Sequence, residues 1–220
     1  MRKAAAEEAP KRIARIKPAT RAMASDERYD ANIDHILRSA ALVFAEKSFG
    51  LASIRDIAAR AKISFPRIYY YLRNKEELLF LISQRAFQQL IARAEERISA
   101  LDDPEGRLRE FIRSHLEYHM SNLAEMKVLV READSLGGRH GAEIARLKRE
   151  YSRLCRRLLE GYAAHRNKAL DREHARILTS LLFGAMNWFY TWYEPARDYD
   201  QRGRIFDECF RMVAGSLSAR

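Results

Sequence analysis

A run of 27 residues, from Ser53 to Leu79, constrains the fold more than any other part of this chain. Ser53 can begin a helix, because a serine hydroxyl accepts a hydrogen bond from a free backbone N–H. The three- and four-residue spacing of one buried helix face follows, at Ile54, Ile57, Ala58 and Ala61. Ser64 offers a second N-cap, and Pro66 falls in the first turn of the next helix, where its missing N–H costs nothing. The run predicts two short helices, a tight turn between them and the start of a third helix.

The second of these helices has an unusual outer face. Ile68 and Leu72, four residues apart, form its buried side. At about 100° per residue, the opposite side and its flanks carry Pro66, Arg67, Tyr69, Tyr70 and Arg73. Arginine forks suit guanine edges and phosphates, and tyrosine hydroxyls reach phosphate oxygens. The pattern favours a helix-turn-helix with its recognition helix over the alternative, an ordinary helical hairpin with a polar outside.

The order of these pieces resembles the DNA-binding domain of the tetracycline-repressor (TetR) family. Between Ile33 and Phe80 the chain has Ile-Arg-Asp-Ile-Ala-Ala-Arg-Ala-Lys-Ile-Ser, then Ile-Tyr-Tyr-Tyr-Leu, then Asn-Lys-Glu-Glu-Leu-Leu. The family usually has glycine where this chain has Lys62. The resemblance implies an all-α fold: an N-terminal three-helix helix-turn-helix DNA-binding domain plus a C-terminal helical ligand-binding and dimerisation domain.

Eight residues are expected to contact DNA. They are Ser53, Ser64, Phe65, Pro66, Arg67, Tyr69, Tyr70 and Lys75. We expect Arg67 to contact a base, and Ser53 and Tyr69 to contact phosphates. The resemblance implies that Lys75 also donates to a phosphate, as its counterpart does in the family.

The distribution of charge suggests three segments. The net formal charge is +10, and residues 1–28 carry eight Lys/Arg against four acidic residues. We interpret 1–28 as a basic, flexible N-terminal arm, either a solvated tail or an arm that lies along DNA phosphates. Residues 29–80 form the predicted DNA-binding domain and 81–220 the helical ligand-binding and dimerisation domain. The first helix is expected to start at Asn32 and to end at Phe49-Gly50 in a left-handed cap.

A second informative stretch lacks charge over 17 residues, from Ile177 to Tyr193. A membrane span is the first alternative, since spans begin at about 17 residues, but polar residues interrupt it. A helix that is apolar all round is instead buried on every side, by the core and by a partner. With the last helix, about 200–218, it predicts a four-helix interface between two copies. The resemblance implies the same homodimer.

The segment from Gly184 to Tyr193 resembles the branch of the family that responds to fatty acyl-CoA and related thioesters. The plainer alternative is that its aromatic residues are core and dimer packing. A buried amide such as Asn187 needs partners, so it could line a ligand pocket with Trp188 as a wall. The candidate ligand-binding residues are His115, Arg131, Tyr151, Asn187 and Trp188.

Sequence support for a metal site, an enzyme active site or a cofactor site is weaker. His115 and His119 have a spacing that can hold zinc, but no third ligand is evident, and a buried pair beside a cavity is the favoured interpretation. No enzyme motif or cofactor site stands out. The two cysteines fit a reducing cytosol, and no signal peptide is recognisable, so a cytoplasmic location is expected. The predicted function is a ligand-released repressor that binds double-stranded operator DNA. The alternatives are an activator, a nonspecific nucleic-acid-binding protein, and a helical enzyme or lipid carrier.

Overall fold

Helices make up all the regular structure of the described range. The computed structural model describes residues 19–218, with side chains described from 31 to 217. The helices are α1 (Ala19–Lys47), α2 (Ile54–Ala61), α3 (Phe65–Tyr71), α4 (Lys75–Ser99), α5 (Pro104–Ser121), α6 (Leu123–Glu132), α7 (Gly138–His165), α8 (Arg172–Asn187), α9 (Pro195–Asp198) and α10 (Arg202–Ser218). Three 3₁₀ turns are Ala133–Ser135, Trp188–Thr191 and Tyr199–Gln201. The predicted all-α fold is confirmed.

The first helix begins earlier than its sequence pattern indicates. Helix α1 starts at Ala19 rather than at the predicted Asn32. Most of the predicted N-terminal arm, residues 1–18, lies outside the described residues. Contacts divide the chain after Asp34. The compact unit that begins at His35 contains the carboxyl-terminal part of α1 and all of α2 to α10.

Helix α1 ends two residues before the predicted cap. Its last residue is Lys47, and the left-handed residue is Ser48, with φ of 67°, so the cap predicted at Phe49-Gly50 is wrong. The Ser48 N–H still donates to the Phe44 carbonyl at 2.9 Å. The ring of Phe49 then packs edge-on against Phe44, 5.4 Å between centroids. The chain reverses at Ser48 so that this aromatic contact can form.

The carboxyl half of α1, α2, α3 and the start of α4 share a small apolar core. Its largest fully buried side chains are Ile36, Phe44, Ile57, Ile68, Leu78 and Leu79. Burying each such side chain contributes about 1.5–3 kcal/mol. His35 adds a polar contact, with Nε2 2.9 Å from the Ala61 carbonyl at the end of α2. These contacts hold the end of α2 against α1 and bury the Ile68 side of α3.

Helix α4 links this core to a larger one. Its 25 residues span about 37 Å at 1.5 Å per residue. Beyond its first turns it packs against α5, α6 and α7, and α8 and α10 close the second core. No helix among residues 19–218 combines the length and the apolarity that crossing a membrane requires.

The long uncharged stretch does not form one continuous helix. Helix α8 ends at Asn187, and the chain continues as a 3₁₀ turn to Thr191. Leu182 and Phe189 are buried, as the apolar pattern predicts. One side is open in the single chain, with Leu181 59% and Trp188 62% exposed. The stretch is therefore buried on the core side only within one copy of the chain.

Candidate DNA-binding surface and ligand cavity

The amino end of α2 is held by a capping box. Ser53 Oγ accepts a hydrogen bond from the Asp56 N–H at 3.2 Å, and the Asp56 carboxylate accepts one from the Ser53 N–H at 2.9 Å. Lys47 Nζ lies 2.6 Å from the same carboxylate. Hydrogen bonds from Lys47 and Ser53 hold the pKa of Asp56 below its usual range. The predicted N-cap is confirmed, and the DNA contact of Ser53 stays a prediction.

The turn between α2 and α3 depends on one left-handed residue. Lys62 has φ of 54°, and its N–H and that of Ile63 donate back to α2 carbonyls. Ser64 precedes α3 as predicted, but its side chain makes no cap hydrogen bond. The reason is local: Pro66 has no N–H to donate, and the Arg67 N–H already donates to the Ser64 carbonyl at 3.0 Å. Pro66 itself lies in the first turn, as predicted.

Helix α3 presents the predicted aromatic and basic face. Ile68 is fully buried, whereas Arg67, Tyr69 and Tyr70 are exposed, Tyr70 by 75%. Phe65, also exposed, packs edge-on against Tyr69 with 5.2 Å between ring centroids. The face is thus open to a partner over its whole length, and its DNA contacts remain predictions.

Sequence reasoning missed one cation on this surface. Arg55, exposed on α2, places its guanidinium 5.6 Å from the centroid of the Phe65 ring. The contact joins the outer faces of α2 and α3. The signal was available, because Arg55 lies off the three- and four-residue repeat that defines the buried face of α2.

Lys75 has partners inside the domain. Its Nζ donates to the carbonyls of Phe49 at 2.7 Å, Ala52 at 2.9 Å and Gly50 at 3.3 Å. It also lies 4.6 Å from the centroid of the Phe49 ring. All three ammonium protons are therefore directed at the loop between α1 and α2. The phosphate contact predicted for Lys75 stays a prediction.

A large cavity lies in the second core. Its volume is about 880 Å³, and α4, α5, α6, α7 and α8 all contribute to its wall. The apolar part of the wall includes Phe87, Leu90, Leu129, Ile144 and Phe183. Clefts of about 300–1,000 Å³ with mostly apolar walls are typical of small-molecule sites.

Three of the five predicted ligand residues line this cavity. They are His115, Tyr151 and Asn187. His115 and Tyr151 are each 2% exposed, and the ring Nδ1 of His115 lies 3.2 Å from the Tyr151 hydroxyl. Burial lowers the pKa of His115 to about 3, helped by the neighbouring His119, and raises that of Tyr151. His119, buried behind them, does not line the cavity. The side chains of His115 and Tyr151 are therefore neutral at physiological pH.

The other two predicted ligand residues lie elsewhere. Arg131 is exposed and does not line the cavity, because Met126, Leu129 and Ala133 form the buried side of this segment. Trp188 is also exposed and outside the cavity wall, because α8 ends one residue before it. Both placements correct the sequence-based prediction.

A row of arginines that sequence reasoning missed borders the cavity. Arg149, Arg153 and Arg156 follow one another on α7 at intervals of four and three, and Arg176 faces them from α8. Arg149 and Arg153 make no ion pair with any described residue, although Arg156 is 3.7 Å from Glu160. We call these four residues the arginine rim. It offers an anion two unpaired guanidinium groups beside an apolar interior.

Among the side chains that the structure describes, from 31 to 217, no cluster of three or more His, Cys, Asp or Glu could hold a metal ion. His115 and His119 are the pair whose spacing suggested zinc. Their ring centroids lie 6.3 Å apart.

Comparisons with known proteins agree with this architecture. Residues 36–82 match the family model of the bacterial regulatory proteins of the tetR family, and residues 101–203 match that of the tetracyclin repressor-like C-terminal domain. Together the two matches cover more than half of the chain. A comparison with curated protein sequences gives no match.

Solved structures share the fold. A TetR-family transcriptional regulator from Bordetella parapertussis has a TM-score of 0.76 and 24% identity, over 82% of this chain and 93% of its own. AibR in complex with isovaleryl coenzyme A and operator DNA gives 0.71 and 22%, over 82% and 97%. The fatty acid degradation regulator FadR from Bacillus halodurans gives 0.70 and 21%, over 86% and 97%.

The sequence motif, the exposed basic and aromatic face of α3 and the two matched domains agree. The chain belongs to the TetR family of DNA-binding transcriptional regulators.

Proposed function

We propose that this protein is a repressor that binds a pseudo-palindromic operator as a homodimer and leaves it when an acyl-CoA, or a similar anionic and hydrophobic molecule, enters the cavity. The observation that carries the proposal is the cavity itself. Its interior is apolar, three polar groups converge in its wall, and the arginine rim borders it.

In this proposal α3 enters the major groove. Arg67 is the candidate for a base contact, because its planar fork can donate twice to guanine. Tyr69, Tyr70 and Ser53 are candidates for phosphates. Ser64, Phe65 and Pro66 form the start of α3, the end that reaches deepest into the groove in helix-turn-helix proteins. Two such helices in a dimer would face half-sites about 34–36 Å apart, one turn of DNA.

The exposed apolar side chains near α8 and α10 support a homodimer. They are Ile177, Leu181, Trp188, Trp192 and Met212. Apolar surface of this kind marks an interaction site when its members cluster. A second copy would cover the same residues by two-fold symmetry.

The effector class follows from the chemistry of the cavity. An acyl chain would bury apolar surface against Phe87, Leu90 and Ile144, at about 25 cal/mol per Å². The phosphates of coenzyme A would pair with Arg149 and Arg153, since arginine forks bind phosphate oxygens in a bidentate way. AibR, with the same fold, has been solved with isovaleryl coenzyme A and operator DNA, which supports the proposal.

Helix α4 provides the proposed route from cavity to operator. Phe87 and Leu90 line the cavity, and the same helix begins at Lys75, beside α3. Phe80, between them, stacks on His140 of α7 with 4.1 Å between ring centroids. An effector would release DNA only if it binds more tightly when α4 is in a position that does not fit the operator than when α4 is in the DNA-binding position. Such a coupling free energy is typically about 1–3 kcal/mol.

The test begins with selection of an operator from random DNA. We expect a two-fold symmetric site whose binding survives raised salt, whereas nonspecific affinity collapses as counterions compete. Fluorescence anisotropy of the labelled operator, titrated with octanoyl-CoA, should then report release. Free coenzyme A and octanoate serve as controls, because each carries only half of the recognised features. A selected site without symmetry would contradict the dimer, and no release by any acyl-CoA would contradict the effector class.

The arginine rim has a matched control. Changing Arg149 and Arg153 together to glutamine should weaken release by octanoyl-CoA and leave operator affinity unchanged. Arg157→Gln alters an exposed arginine of the same helix that does not line this cavity. It should leave release unchanged, and equal effects of the two changes would contradict a role for the rim.

A further inference from the structure

One polar atom of the cavity lacks a partner. His115 lines the cavity and is 2% exposed. Its Nδ1 is 3.2 Å from the Tyr151 hydroxyl, but its Nε2 makes no hydrogen bond with any described residue. The Asn187 side chain approaches the ring from α8 and raises its pKa through hydrogen bonding, against the larger effect of burial, but the contact lacks the geometry of a full hydrogen bond to Nε2. Buried polar atoms are normally paired, so this one points to a missing partner.

The contact between His115 and Tyr151 decides which ring nitrogen carries the proton. Burial raises the pKa of Tyr151, so its hydroxyl keeps its proton, and that buried proton needs an acceptor. Among the described residues, the acceptor within reach is Nδ1 of His115. A neutral imidazole that accepts at Nδ1 carries its proton at Nε2. The unpartnered atom is therefore an N–H donor.

The charge of the ring limits what this donor can bind. With its pKa lowered to about 3, the His115 side chain is neutral. A single neutral N–H offsets only part of the hydration that a carboxylate loses on burial. A carbonyl oxygen without charge needs only the hydrogen bond.

We propose that Nε2–H of His115 donates to the carbonyl oxygen of the effector, so that the cavity selects a thioester over a chain without a carbonyl. Tyr151 is a positioning residue, because its hydroxyl fixes the proton on Nε2. The inference rests on the proposed function and adds the atom that recognises the effector.

The test compares two ligands that differ only at the carbonyl. Isothermal titration of the full chain would use butyryl-, octanoyl- and lauroyl-CoA, each with its S-alkyl-CoA thioether, in which CH₂ replaces C=O. The best-bound thioester should bind on the order of tenfold more tightly than its thioether. His115→Leu should abolish this preference, and Tyr151→Phe should reduce it. His119→Leu makes the same change one turn away, outside the cavity wall, and should retain the preference.

The outcomes separate the two proposals. Equal affinities of thioester and thioether for the wild-type chain would overturn the role of His115 and leave the acyl-CoA proposal standing. Binding of neither ligand would overturn the effector class and this inference with it. Nitrogen-15 NMR of the wild-type imidazole gives a readout that does not depend on variants. A proton at Nε2 whose resonance moves only with the thioester supports the inference, and a proton at Nδ1 overturns it.

Discussion

Replacing Lys75 with methionine should destabilise the chain by about 2–3 kcal/mol. The ammonium makes two short hydrogen bonds, to the carbonyls of Phe49 and Ala52, and a longer one at 3.3 Å to exposed Gly50. Hydrogen bonds to charged groups contribute about 1.5–3 kcal/mol each, and a cation over an aromatic ring about 0.5–1 kcal/mol. The sum of these contributions is reduced because the ammonium is partly exposed and because it loses hydration when the chain folds. Methionine keeps the apolar part of the side chain, so the loss of stability measures the contribution of the ammonium group.

Lys47→Met is the matched control. Lys47 forms an exposed ion pair with Asp56 in the same small domain, and solvent screening leaves such pairs little effect on stability. In a chain of this size, 1 kcal/mol shifts the melting temperature by about 2–4 °C. Thermal unfolding followed by circular dichroism, at one protein concentration, should show a loss of about 4–12 °C for Lys75→Met and less for the control. Equal shifts would refute the structural role assigned to Lys75.

The same variant tests the phosphate contact that the family resemblance implies. A lysine that neutralises one phosphate contributes about 0.9 to the slope of log affinity against log salt. If Lys75 leaves the loop for a phosphate on binding DNA, the slope should fall by that amount in Lys75→Met. An unchanged slope with reduced stability would assign the lysine to the loop alone.

Four further changes test other features. Lys62→Gly should raise the melting temperature, because a φ of 54° costs a residue with a Cβ about 1–2 kcal/mol. The greater freedom of glycine in the unfolded chain offsets part of this gain. Lys62→Ala keeps a Cβ and should not raise the melting temperature. Gly141→Ala should lower it strongly, since the new Cβ would lie 2.3 Å from a backbone carbonyl oxygen, whereas Gly161→Ala meets open space. Because the pKa of Asp56 is lowered by folding, its carboxylate stabilises the folded chain above the unfolded-state pKa of about 4, and this stabilisation is lost at lower pH. In urea unfolding, the loss of unfolding free energy caused by Asp56→Asn should therefore shrink as the pH falls below about 4. Arg67→Ala should cost about 1–3 kcal/mol of operator affinity and relax specificity at one base pair, and a uniform loss across operator variants would mark a phosphate contact instead.

The local features of the DNA-binding domain were predictable from sequence. The cap at Ser53, the position of Pro66 and the burial of Ile68 and Leu72 each depend on residues within about one helical turn. The end of α1 was not predictable, because the contact between Phe44 and Phe49 places the reversal at Ser48 rather than at a glycine.

The residues that line the cavity were predictable only in part, because some depend on where helical geometry ends and others on how the helices pack. Trp188 was assigned as a pocket wall because it follows Asn187 in sequence, but the chain changes to 3₁₀ geometry at Trp188 and the direction of that side chain changes with it. Arg131 belongs to a helix of ten residues, too short for its repeat to be decisive. The spacing of Arg149 and Arg153 was visible, but a charged stripe on a long helix is ordinarily solvated. Only the packing of α8 beside α7 shows that this stripe borders a cavity.

The double role of α4 has a consequence for how such a protein can change over evolutionary time. In the proposed mechanism, side chains on α5, α7 and α8, such as His115 or Arg153, can be exchanged to suit another effector without altering the helix that carries Lys75. A substitution at Phe87 or Leu90 changes the cavity wall and the position of α4 at once. We expect variants that ignore the effector, or that never release DNA, to cluster on that face of α4. Variants with altered effector preference should cluster on the opposite wall.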